Sequence, residues 1–152
     1  MAARKFRIGR SLTGLGMFAT KPFKRSDYIA TYRGPRISTE ESDRRADRGA
    51  TYLFELTTKI TIDGKPRWNI ARYINHSCKP NAKPVTRNRG IVIVAARRIE
   101  PGEEITYDYG KDYLQYFKEN GGCRCDACRA RKARRRRLAA RQRRVKQRPA
   151  KR

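Results

Sequence analysis

Nowhere in this chain of 152 residues do apolar residues run to the roughly 20 that span a bilayer, and the N-terminus lacks the charged, apolar and cleavable series of a secretory signal. A soluble intracellular protein without membrane contact is the expectation, in a bacterial cytoplasm or nucleoid or in a eukaryotic nucleus. Histidine occurs once, at His76, so a Ser-His-Asp hydrolase finds no support. Internal repeats are absent, which leaves a solenoid without its repeating unit. No heptad pattern or exposed apolar helix marks an oligomer interface. Acid is scarce as well, with 14 Asp and Glu against 39 Lys and Arg. At this length one core and one active site are expected.

The excess of base is unevenly spread. Fourteen of the net +25 charges lie in residues 129–152, which hold no acid, leaving +11 for the rest. With four consecutive arginines at positions 134–137, this segment cannot bury enough apolar area to offset its chain entropy. It reads as a tail that is disordered, or helical through Leu138, Ala139, Ala140 and Val145 once phosphates neutralise the arginines. Two uses stay open: a non-specific nucleic-acid contact driven by counterion release, or a solvated tail with no dedicated partner. Nothing here reads a groove, so sequence-specific recognition is not indicated.

The first hundred residues read as short β-segments between turns, which makes the fold mainly β. Residues 6–10, 16–19 and 28–32 are rich in β-formers and punctuated by Gly14, Pro22, Gly34 and Pro35. Residues 51–58 and 59–62 predict a hairpin, with Asp63-Gly64 as the following turn. Closely spaced charges and few apolar groups over residues 38–48 predict a short exposed helix. The apolar run 91–96 and the segment 105–109 predict central strands on either side of the Pro101-Gly102 turn. Asn120-Gly121-Gly122 then introduces a compact cysteine cluster.

Three of the four cysteines, Cys123, Cys125 and Cys128, form C-x-C-x-x-C, and Cys78 stands alone. In a reducing compartment this cluster favours zinc over disulfides, and tetrahedral zinc wants four donors. Cys78 is a better fourth donor than His76 on softness. Four thiolates would leave no open coordination position, so the Zn2+ would be structural. The other reading is a set of reduced thiols with a redox role. A disulfide-stapled secreted protein lacks both a signal and a plausible pairing.

Residues 72–81, Arg-Tyr-Ile-Asn-His-Ser-Cys-Lys-Pro-Asn, resemble the R-[FY]-[IL]-N-H-S-C-x-P-N signature of SET-domain protein-lysine methyltransferases. Gly14-Leu15-Gly16 resembles that family's G-x-G, Tyr32-Arg33-Gly34 its Y-x-G, and residues 102–109 its G-E-E-[IL]-x-[FY]-D-Y. All four follow in the family's order, and the cysteine cluster resembles its post-SET zinc segment in a shorter form than the common C-x-C-x4-C. The resemblance covers roughly residues 6–128. It implies a SET-domain (β-clip) fold of small curved sheets with few short helices, in which the Asn75 segment passes beneath the loop after Tyr109 as a pseudoknot. It implies a SET domain over 1–119, a zinc segment over 120–128 and the basic tail over 129–152. Trp68-Asn69 stands where Gly-Asn is frequent in the family, so Trp68 either packs against the rim or stays exposed.

The resemblance also implies S-adenosylmethionine as methyl donor. It assigns Gly14, Leu15, Gly16, Arg72, Asn75 and His76 to its binding, with Tyr113 stacked on the adenine. Tyr109 would be the catalytic tyrosine, Tyr32 the second channel tyrosine, and Tyr107 the position where Phe or Tyr sets the degree of methylation. A hydroxyl at Tyr107 points to mono- or dimethylation. The expected substrate is a histone, a histone-like or ribosomal protein, or another basic protein near nucleic acid. Because a +11 domain repels such a substrate at long range, an acidic rim of Glu103, Glu104, Asp108 and Asp112 is expected to receive it. The competing reading is a degenerate fold without catalysis that binds nucleic acid through its basic surface and zinc knot.

Overall fold

The structure is a computed structural model that describes residues 4–146. It divides into two compact units, Met1–Asp108 and Tyr109–Arg152. In the first unit ten short strands form three small sheets, as the mainly β reading expects. Strands β1 (Phe6–Ser11) and β2 (Gly14–Ala19) make a hairpin, β2 pairs with β10 (Glu104–Tyr107), and β10 pairs with the two-residue β7 (Asn75–His76). The second sheet has the order β3 (Tyr28–Tyr32), β9 (Gly90–Ala95), β8 (Ala82–Arg87). The third is β4 (Arg36–Ser38), β6 (Ile60–Asp63), β5 (Leu53–Thr57).

Sequence chemistry accounts for these elements. β9 is flanked by β3 and β8 and carries Ile91, Ile93, Val94 and Ala95 buried on both faces, as its unbroken apolar run requires. The β8–β9 hairpin closes through Asn88 and Arg89, both at positive φ (48° and 56°), which matches the right-handed twist of its strands. Helix α1 (Thr39–Asp47) starts where the Ser38 hydroxyl accepts the Glu41 N–H, and Glu40 and Glu41 complement its N-terminal dipole. Met17, Phe23, Ile74, Ile93, Ile99 and Ile105 are, among the described residues, the large apolar side chains fully withdrawn from solvent, and they form the core on which the sheets converge.

The second unit is helical. α2 (Lys111–Glu119) follows Gly110, whose φ of 94° lets the chain turn into the helix, and it gathers Tyr113, Tyr116 and Phe117 at helical spacing. α3 (Asp126–Lys146) contains Cys128 and continues without a break into the arginine-rich segment. Arg, Lys, Ala and Leu are good helix formers, and residues 129–144 are exposed all round, so α3 has no buried stripe. Residues 147–152 of the expected tail lie outside the described residues. No helix among the described residues is long and apolar enough to cross a membrane.

Candidate functional site

The two signature segments that lie 30 residues apart meet as parallel strands, with Thr106 beside Asn75 and Tyr107 beside His76. A two-residue pairing is short, and it is reinforced from both ends. The Ser77 N–H donates to the Tyr107 carbonyl at 3.1 Å. Asn81, 4 % exposed, donates from Nδ2 to the Glu104 carbonyl at 2.8 Å and accepts the Thr106 N–H on Oδ1 at 2.9 Å. One side chain thus supplies β10 with the donor and acceptor that a neighbouring strand would.

Along this edge the expected cofactor residues Leu15 and Asn75 come together. The Asn75 amide donates to the Leu15 carbonyl at 3.1 Å and to the Glu104 carboxylate at 2.7 Å. Gly14 and Gly16 flank Leu15 on β2. His76 is buried, with Nε2 3.3 Å from the Cys78 sulfur and Nδ1 3.7 Å from Asp108; burial pushes its pKa down, and the Asp108 carboxylate opposes that in part. Arg72 is engaged with a different segment: it donates to the Lys65 carbonyl and its guanidinium lies over the rings of Tyr52 (4.3 Å) and Tyr73 (5.6 Å).

Tyr32 and Tyr107 are both buried, and Phe54 of β5 bridges them with ring centroids 5.1 Å from Tyr32 and 6.1 Å from Tyr107. The Tyr32 hydroxyl donates to the Tyr52 carbonyl at 2.7 Å, which also accepts the Gly64 N–H at 2.8 Å. Tyr52 takes φ of 69° to aim that carbonyl, a strained conformation for a bulky residue. Gly64 leaves room for the tyrosine, since a Cβ there would sit 2.2 Å from the Tyr32 oxygen. Asn69, fully buried, ties the same corner together by donating to the Gly64 carbonyl and accepting the Arg33 N–H, both at 3.0 Å. Its neighbour Trp68 is 64 % exposed. Phe54, Tyr52, Asn69 and Asn81 were not among the site residues expected from the sequence, although Asn81 closes the 72–81 signature.

Two of the four expected rim acids are engaged by neighbours. Glu103 is held in a two-pronged pair with Arg97 at 3.0 and 3.1 Å, which with its hydrogen bonds lowers its pKa, and Glu104 turns to Asn75 and Ser11. Asp108 remains solvent-facing beside His76.

In the second unit Tyr109 packs edge-on against Tyr113 at 5.0 Å, and Tyr113 is surrounded by Tyr116 and Phe117. Cys123 accepts the Cys125 N–H and Cys128 accepts the Arg131 guanidinium, each at 3.4 Å. Cys123, Cys125 and Cys128 are thus three thiols of this unit that could ligate a metal ion, and the fourth cysteine, Cys78, belongs to the first unit.

A SET domain profile matches residues 14–110. Among curated proteins the chain is 38 % identical over 128 residues to histone-lysine N-methyltransferase Set2 of Drosophila melanogaster, a match covering 78 % of this chain and 5 % of that protein. It is 37 % identical over 131 residues to histone-lysine N-methyltransferase 2D of Homo sapiens, covering 80 % of this chain and 2 % of that one. The chain therefore spans only a small fraction of these relatives. Among solved structures the crystal structure of the Chaetomium thermophilum polycomb repressive complex 2 matches with a TM-score of 0.65 and 31 % identity, over 73 % of this chain and 16 % of that one.

Replacing Asn81 by Ala leaves two β10 backbone groups without partners and is expected to cost about 3 kcal/mol. That corresponds to a fall in melting temperature of about 10 °C. A change below about 1 °C in thermal unfolding would show that β10 does not depend on this clamp.

Proposed function

The chain belongs to the SET-domain family, and we propose that it is a protein-lysine methyltransferase that uses S-adenosylmethionine and carries a structural zinc ion. The observation that carries this reading is the β7–β10 pairing itself, which holds Tyr107 in the buried aromatic set Tyr32–Phe54–Tyr107 and brings Asn75 to the Leu15 carbonyl of β2, with Glu104 fixing its amide. A glycine-flanked backbone carbonyl beside the oxygen of a fixed amide fits a ligand that ends in a primary ammonium. Gly14, Leu15, Gly16, Asn75 and His76 would hold the donor, Tyr113 would meet its adenine, and Arg72 would act from the Tyr52 side. Bound there, S-adenosylmethionine would supply an electrophilic methyl group on a sulfonium.

The residues of the chain then have one task, to deliver a neutral amine in line with that methyl. A lysine ammonium, with a reference pKa of about 10.4, has no lone pair until it loses a proton. Burial between aromatic rings disfavours its charged form, so no strong base is needed. Tyr32 spends its hydroxyl proton on the Tyr52 carbonyl, which fixes its ring as a wall for the lysine stem. Tyr109 is proposed as the catalytic tyrosine that orients the amine, and Tyr107 as the hydroxyl that limits the space for a methylated nitrogen. Monomethyl- and dimethyl-lysine are the proposed products. For zinc, the donor set is chemically apt: Cys78, Cys123, Cys125 and Cys128 would hold it as four thiolates, in a structural and not a catalytic role.

The proposed substrate is a histone or another basic protein associated with nucleic acid, in keeping with the names of the relatives. In this reading residues 1–119 are the methyltransferase domain, 120–128 the zinc segment and 129–152 a basic arm. The arm, whose residues 129–144 are all exposed, would contact nucleic-acid phosphates and offset the repulsion between a basic domain and a basic substrate.

Calorimetric titration with S-adenosylmethionine tests the reading: binding with a thermal shift is expected, and no heat and no shift would favour a non-catalytic module. Tyr107→Phe should raise the degree of methylation, seen as a larger share of dimethylated and trimethylated product by mass spectrometry; identical distributions would remove Tyr107 from that role. Deleting residues 129–152 should spare activity on short peptides and weaken it on nucleic-acid-bound protein about tenfold or more at low salt. Equal loss on both would contradict the tether.

A further inference from the structure

We propose that Glu104 is a positioning residue: it locks the Asn75 amide so that the group Asn75 has left for a ligand is its carbonyl oxygen, and thereby makes the site a receptor for an ammonium. This rests on the reading above that the β2–β7 edge receives the amine of S-adenosylmethionine.

Asn75 Nδ2 sits 3.1 Å from the Leu15 carbonyl and 2.7 Å from Glu104 Oε1. Both partners are acceptors, so the atom between them is the nitrogen, and its two hydrogens are both spent. Glu104 is itself held, because Oε2 accepts the Ser11 hydroxyl at 2.8 Å. The carboxylate lies in the space left by the missing side chain of Gly16, where a Cβ would be 2.4 Å from Oε1 and 2.9 Å from the Ser11 Cβ. Gly16 is therefore required in this chain to make room for Glu104. An amide turned the other way would present N–H groups to an ammonium and repel it. Glu104 was expected on a substrate rim; its geometry ties it to the opposite task, setting the polarity of the residue beside it.

Positioning and direct ion pairing predict different outcomes for Glu104→Gln. A glutamine can still accept from Asn75 through Oε1 and donate to the Ser11 hydroxyl through Nε2, so it preserves the amide orientation while removing the charge. The test is calorimetry on the full chain with S-adenosylhomocysteine and with its deaminated analogue, S-adenosyl-4-thiobutyrate. Glu104→Gln should bind S-adenosylhomocysteine within about threefold of wild type, and Glu104→Ala and Gly16→Ala should each bind it at least about tenfold more weakly. Binding of the deaminated analogue should be unchanged in Glu104→Ala, because the orientation matters to the amine alone. Should Glu104→Ala fail to fold, Ser11→Ala loosens the same carboxylate from outside and should weaken S-adenosylhomocysteine about threefold without affecting the analogue.

Wild-type affinity in Glu104→Ala would overturn the proposal. So would equal weakening of both ligands, or a Glu104→Gln as weak as Glu104→Ala. A wild-type protein that binds neither molecule would instead defeat the cofactor reading on which the proposal rests.

Discussion

Two residues of parallel strand, Asn75 and His76 lying along Thr106 and Tyr107, are the contact on which the chemistry of the first unit depends. A pairing this short gains little by itself, and its persistence is owed to Asn81, which supplies both a donor and an acceptor to β10 from a buried position. Once the pairing is fixed, the Asn75 side chain is carried to Leu15 and Glu104 on one side, and Tyr107 is carried to Phe54 on the other. The edge proposed to hold the methyl donor and the aromatic wall are thus two consequences of one backbone register.

The aromatic wall has its own support, and that support is bought with backbone strain. Tyr52 holds a left-handed φ so that its carbonyl can receive both the Tyr32 hydroxyl and the Gly64 N–H. Asn69 pins Gly64 and Arg33 together, and Arg72 covers the Tyr52 ring. Such over-determination is what keeps a strained residue in place. It converts Tyr32 from a mobile phenol into a fixed surface, and in the proposed reaction such a buried surface would disfavour the charged form of a substrate lysine.

Much of the fold was legible in the sequence because its strands follow apolar patterning and its turns follow glycine and proline. Strand β3 falls on the residues expected for it, and α1 and β9 lie within a residue or two. β4 and β7 were not legible, since three-residue and two-residue strands carry no periodicity and exist only through their partners. β8 was missed because Lys83 and Pro84 interrupt it. At the site, the signature residues mark a family but not their contacts. Phe54 reads as one more apolar residue of a hairpin until Tyr32 and Tyr107 close around it, and Glu104 reads as a surface acid until Gly16 is seen to make room for its carboxylate. The arginine-rich segment shows the opposite limit: composition announced its charge, while its helical form through Lys146 follows from Ala, Leu and Arg propensity over a length that composition alone does not weigh.

The central claim is that this chain places an uncharged lysine amine against an electrophilic methyl, and transfer of label measures that directly. The wild-type protein would be incubated with methyl-labelled S-adenosylmethionine and a mixture of basic proteins, beside a Tyr109→Phe variant shown to retain its fold, and the modified residue mapped. Label on lysine Nζ in the wild type, lost by about a hundredfold or more in the variant, is the predicted result. Label on another side chain, or equal incorporation by both proteins, would contradict it.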